Sequence, residues 1–241
     1  AVTSTEIAGV VSSGDTQIDL GATTLLDAAT LDSGAGALNV VSLTDGAGTL
    51  ALTLQDTGAT GTVTITGAAT IGSLITSGAG YDLFLNAGAG GQTSTFDGAG
   101  TTFTNTGITS FGNADADSTT FAGAVSTTAS SSTELAGLLS TGAANGQIDL
   151  SAATLNANSD VIAGGGAINI ASVTDGANAF NLQIQDGAAT GTVTIAGATT
   201  IDSLTTLAGT YAVDLQGGAT ITQDTSFLND GALTIGSGAG T

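Results

Sequence analysis

Two carboxylates set two residues apart, Asp115 and Asp117 in Asn113-Ala114-Asp115-Ala116-Asp117-Ser118, are the side chains best placed to do chemistry. On an extended strand they share a face and could present oxygens to Ca²⁺ or another divalent cation. They are the candidate metal ligands. Little else could react. The 241 residues include 20 Asp and Glu but no Lys, Arg, His or Cys, and the formal net charge is −20. Catalysis by His, Cys or Lys is therefore excluded, and so are disulfides and Zn sites of the N/S type. Without cationic side chains there is no footprint for nucleic acid and no basic face for anionic lipid.

The spacing around Asp115 matches the opening of an EF-hand loop, but Ser118 stands where that loop needs Gly and Ala124 where it closes with Glu. A solvated acidic bend accounts for the segment equally well. Other carboxylates, including Asp27, Asp32, Asp45, Asp56, Asp160, Asp175 and Asp186, sit where turns are expected and suit bonding to nearby backbone N–H groups. With no internal counter-charge, the chain is expected to draw divalent cations from solvent, although none is required as a cofactor.

An enzyme is not expected. A glycosidase would need two carboxylates flanking a sugar groove, and there is no Trp for stacking. The acidic positions also recur in pairs, Asp19/Asp149, Asp45/Asp175 and Asp56/Asp186, as structural positions do. The threonines Thr62, Thr64, Thr66, Thr192 and Thr194, with Thr102/Thr104 and Thr220/Thr222, invite an ice-binding reading. Asp19, Asn39, Gln55, Asp149 and Asn169 break that row, and ordinary β-propensity explains the Thr. Gly runs such as Gly88-Ala89-Gly90-Gly91 read as corners, because no Lys or helix follows to make a phosphate loop.

The elements that must carry these groups repeat. Gln17-Ile18-Asp19-Leu20 returns as Gln147-Ile148-Asp149-Leu150, and Thr62-Val63-Thr64-Ile65 as Thr192-Val193-Thr194-Ile195, both 130 residues on. Upstream, Ser4-Thr5-Glu6 matches Ser132-Thr133-Glu134 at an offset of 128, which places a two-residue gain near Ala143-Ala144. Phe227-Leu228-Asn229-Asp230-Gly231 best matches Phe103-Thr104-Asn105-Thr106-Gly107. We divide the chain into a first long repeat, 1–128, and a second, 129–241, continuous with the first and cut short at residue 241. With no Met, the chain is expected to be a processed product or a piece of a longer one.

Within each repeat, short alternating segments such as Asn181-Leu182-Gln183-Ile184-Gln185 lie between Asp-Gly and Gly-rich turns. Apolar content of 41% argues against disorder despite the charge. Thr, Val and Gly disfavour helix; Ser132–Leu139 is the best local helix candidate, but its counterpart near Ile7 is rich in Val and Ser. The pattern predicts an all-β fold, a parallel β-solenoid (β-helix) of about 11 coils of roughly 20 residues. Missing Pro keeps every ladder N–H available. Phe96, Phe103, Phe111 and Phe121 recur as an internal stack would require, and Tyr81 and Tyr211 are expected at strand edges with hydroxyls in water.

Motifs such as Gly61-Thr62-Val63-Thr64-Ile65-Thr66-Gly67-Ala68 resemble the strand repeats of giant bacterial surface proteins, namely filamentous-haemagglutinin-like adhesins and autotransporter passengers. The composition is also similar to that of calcium-dependent surface-layer proteins. The resemblance implies a secreted, extracellular or cell-surface solenoid. The Gly-Gly-x-Gly-x-Asp repeat of toxin-type calcium solenoids does not occur. The expected function is structural: a segment of an extracellular filament, adhesin stalk or surface layer that assembles by end-to-end β-stacking. Its expected partner is itself, as a head-to-tail homo-oligomer or a longer chain, with cell-surface glycans as further partners. A binding module for ice or glycan is the alternative.

Overall fold

The computed structural model describes residues 4–46, 48–56, 61–142, 146–176, 178–187, 191–223 and 225–236, and for Asp56 and Asp186 the backbone alone. The two-residue gain near Ala143-Ala144 lies outside the described residues. Among the described residues, twenty-four strands, all paired in parallel, wind into a β-solenoid of about ten turns. Each turn lays three ladders side by side, here called faces A, B and C. Ser132–Leu139, the helix candidate, lies within the strand Ser132–Thr141, since its alternate side chains Thr133, Leu135 and Leu139 enter the core.

Face A runs Ile18, Leu38, Val63, Leu83, Thr109, Thr133, Ala153, Val173, Thr199 and Ala219, each paired with the next. Nine steps separate Ile18 from Ala219, about 22 residues per turn. Short of the last turn, where Ala219, Leu233 and Ile235 are exposed, the inward residues are buried and form one continuous core, because no single turn can cover its apolar side alone. The long strand Ile18–Gly34 passes round corners, pairing through Ile18 on face A, Thr23 on face B and Ala29 on face C.

The 130-residue repeat is out of step with this winding. Ile18 stands on face A, whereas its counterpart Ile148 pairs with Val125 and Ile168 on face C. Five turns from Ile18 lead to Thr133, and two more faces lead to Ile148, so one repeat comprises 17 face segments. Because 17 is not a multiple of three, the second copy is rotated by one face.

Loops absorb changes of length without disturbing the ladders. Asn105 Nδ2 donates to the Tyr81 carbonyl (3.3 Å) across 24 residues. Asn229 Nδ2 donates to the Tyr211 carbonyl (3.2 Å) across only 18. The connection between Leu85 and Thr93 shrinks to that between Leu215 and Ala219 in the second copy. At Gly137 the chain instead turns from face A to face B through a bulge with φ +75°, and a Cβ there would lie 2.2 Å from the Asp117 carbonyl. Only glycine fits that corner.

The four Phe pack as expected. Phe96 stacks on Phe121 at 4.8 Å, and Phe111 meets Phe121 edge-on at 5.9 Å. Tyr81 and Tyr211 depart from expectation, being fully buried rather than at an edge. Their hydroxyls reach the carbonyls of Leu54 (3.3 Å) and Ile184 (3.0 Å), so the ring is covered and its polar end satisfied by the turn below.

Candidate functional site

Asp115 and Asp117 lie in a turn, not on a strand, and the structure sends them apart. Asp117 is buried, accepting from the backbone N–H of Gln92 (2.8 Å), Asn113 (2.9 Å) and Ala114 (3.1 Å). It thereby fixes one corner loop to the loop of the preceding turn. Asp115 is exposed and accepts from Asn158 N and Nδ2, both at 2.9 Å. It reaches across an intervening turn because the Gly137 corner carries no loop to block it. Among the described residues no three Asp or Glu side chains converge as a metal cage would require.

The duplicated acids whose side chains are described divide into two kinds. Asp45 and Asp175 are buried turn clamps: Asp45 takes the N–H of Gly48, Leu50 (2.8 Å) and Gly72 (2.9 Å), and Asp175 takes that of Asp202 (2.7 Å). Asp19 and Asp149 instead stand on the outer surface, held by amides in place of absent cations. Gln17 donates to both oxygens of Asp19 (2.6 and 2.8 Å), and Asn39 on the next turn to one (2.8 Å). These amides, Gln17 first, hold the Asp19 carboxyl below its usual range. Gln147 and Asn169 repeat the arrangement around Asp149, at 2.7, 2.8 and 2.8 Å. Asp160, expected at a turn, lies within the strand Ile148–Ala163, where burial pushes its carboxyl up.

Two hollows flank Asp149 on face C. One, of about 270 Å³, is lined by Thr128, Asp149, Asn169, Ala171, Thr194 and Ala196 among others. The other, of about 200 Å³, lies towards Thr102, Ser126 and Gln147. Asp149 borders both.

Sequence reasoning missed a file of hydroxyls. On face B, Glu6, Thr24, Thr44, Thr70, Thr95, Thr120 and Ser140 are partners in seven successive turns, each flanked by inward side chains. The second copy rebuilds it on face A as Glu134, Thr154, Thr174, Thr200 and Thr220. The signal was present as Thr at steps of 20, 26, 25 and 25 residues, but unequal loops hide such a row from a search at fixed period. Asp149 and Asn169 lie on face C, and Asp19 and Asn39 on face A, several turns before Glu134 on the same row, so none of them interrupts the file on face B.

No family model matches the chain, and neither does any curated protein or solved structure.

Proposed function

We propose that the chain is a structural segment of an extracellular filament, stalk or surface layer, lengthened by parallel strand pairing at its ends. The observation that carries this reading is the state of the last described turn. Leu233 and Ile235 are 42% and 55% exposed, whereas Val213 and Leu215, their ladder partners one turn below, are fully buried. A further turn, from more of the same polypeptide or from a second copy, would cover them and pair the edge strand Leu233–Ile235. The excess of acid supports the reading too, since like charge keeps fibres hydrated and apart.

Electron microscopy of natural material tests it: long uniform fibres or stalks about one solenoid wide are expected, and dispersed short particles would overturn it. The intact mass then says whether turns are added within one chain or between chains.

A second reading, adsorption to ice, is favoured by the hydroxyl file on face B. Thr side chains are stiff at χ1, and the ladder sets them ~4.8 Å apart in a file whose one charged member is Glu6. Thermal hysteresis that is lost in Thr70→Lys would support this reading; its absence in the unaltered protein would dismiss it.

A further inference from the structure

The two copies of the repeat carry the same amide-held carboxylate on their outer surface, but the ground beside it differs. In the first copy Val41 and Thr66 stand next to the Gln17-Asp19-Asn39 group, and Val41 is 55% exposed. Thr66 Oγ1 donates to the carbonyls of Val41 (3.2 Å) and Val40 (3.4 Å). In the second copy the corresponding positions are Ala171 and Ala196, and both line the larger hollow. Two side-chain truncations thus open the space beside Asp149 and remove a hydroxyl donor from the carbonyls of Ile170 and Ala171. These receive the backbone N–H of Ala196 (3.0 Å) and Gly197 (2.6 Å).

Most of the exposed lining of the larger hollow is apolar, from Leu150, Ile170, Ala171 and Ala196, and the polar groups beside it are mainly acceptors. Gln147 and Asn169 use three of the roughly four acceptor positions of the Asp149 carboxylate. The Asn169 carbonyl, the Thr128 and Thr194 hydroxyls and the second lone pairs of the two backbone carbonyls add to them. Such a surface suits a ligand with an apolar face and O–H donors around its edge, as a pyranose ring has. A net charge of −20 with no cationic side chain disfavours any anion. The two hollows, about 270 and 200 Å³, share Asp149 in their walls and together form what is called the trough here; their sum falls within the ~300–1,000 Å³ of small-molecule sites.

We infer that the trough beside Asp149 on face C is a binding site for a neutral oligosaccharide, its hydroxyls donating to Asp149, Asn169 and the Ile170 and Ala171 carbonyls. The site does not depend on the chain being a filament segment. It belongs to the second copy, because Val41 and Thr66 occupy the corresponding ground in the first.

The test uses residues the protein already tolerates in its sister repeat. Cellotetraose, mannotetraose and an N-acetylglucosamine tetramer are titrated into the intact protein by calorimetry, with a galacturonate tetramer as the anionic control. At least one neutral tetramer should bind, with Kd near ~1 mM for so open a site. The double variant Ala171→Val/Ala196→Thr should weaken binding by about tenfold or more, roughly 1.4 kcal/mol, while its circular dichroism stays unchanged. Failure of all three neutral tetramers would overturn the inference, as would equal binding of the galacturonate or undiminished binding by the filled variant.

Discussion

The interior is built in two ways. In the turns of Leu52, Leu54, Val63 and Ile65, and again of Leu182, Ile184, Val193 and Ile195, the inward side chains are aliphatic and fully buried. Between them, the inward positions are largely Ser, Thr, Asn and Phe. There Ser94 Oγ donates to Asn86 Oδ1 (2.6 Å), and Asn86 Nδ2 donates to Thr119 Oγ1 (3.0 Å). Thr133 Oγ1 lies 2.6 Å from Thr127 Oγ1 and 2.9 Å from Ser151 Oγ. Phe rings fill the volume that the smaller side chains leave. Both interiors sit at the same strand spacing, so the ladder does not choose between them. The difference lies in what each specifies. Aliphatic contact is non-directional, whereas hydroxyl and amide chains have direction and fix which turn faces which.

The largest expected effect probes the aromatic filling. Phe121 touches Phe96, Phe103 and Phe111, so Phe121→Ala should cost ~4 kcal/mol in chemical unfolding, against ~3 kcal/mol for Ile195→Ala in the aliphatic part. Equal or reversed costs would break the comparison. Next, one substitution should have opposite signs in the two interiors. Thr133→Val removes a hydroxyl with two partners and should destabilise by ~1–3 kcal/mol. Thr199 is buried between Val173 and Ala219 with its Oγ1 unpaired, so Thr199→Val should stabilise by about 1 kcal/mol.

The smallest effect lies where the two interiors meet, at Asp160 beside Leu138. Burial raises its carboxyl, so the ionised form opposes folding above that raised value, and the penalty vanishes once both states are protonated. Asp160→Asn should therefore raise the thermal midpoint at neutral pH by ~1–2 °C, an advantage lost below about pH 3. Asp19 works in the opposite sense. Its lowered carboxyl adds stability above the ordinary carboxylate value, and this is lost as pH falls through the lowered one.

Much of this was legible in the chain. Alternation in Thr62–Ile65 and the Asp-Gly turns announced strands and corners, and the spacing of the Phe residues announced their stacking. Three faces per turn were not legible, because the apolar centres look alike whichever face they serve. Ile18, Val63 and Leu83 do share face A, but Phe121 belongs to face B. The geometry of Asp115 and Asp117 was illegible for a related reason: a spacing of two puts side chains on one face of a strand, and this segment turns. The trough beside Asp149 was hidden because it is made by what Ala171 and Ala196 lack, against two neighbours 130 residues earlier.

Seventeen segments wound on a three-sided prism act as a gear with one tooth too few. Each further copy of the same repeat would advance the threonine stripe to the next side, and the pattern would close only after three copies. A tandem array would carry its stripe as a slow spiral, presenting it in turn to every compass direction. A flat opposing surface could never be met along the full length, yet an approach from any side would find a stretch of the spiral facing it.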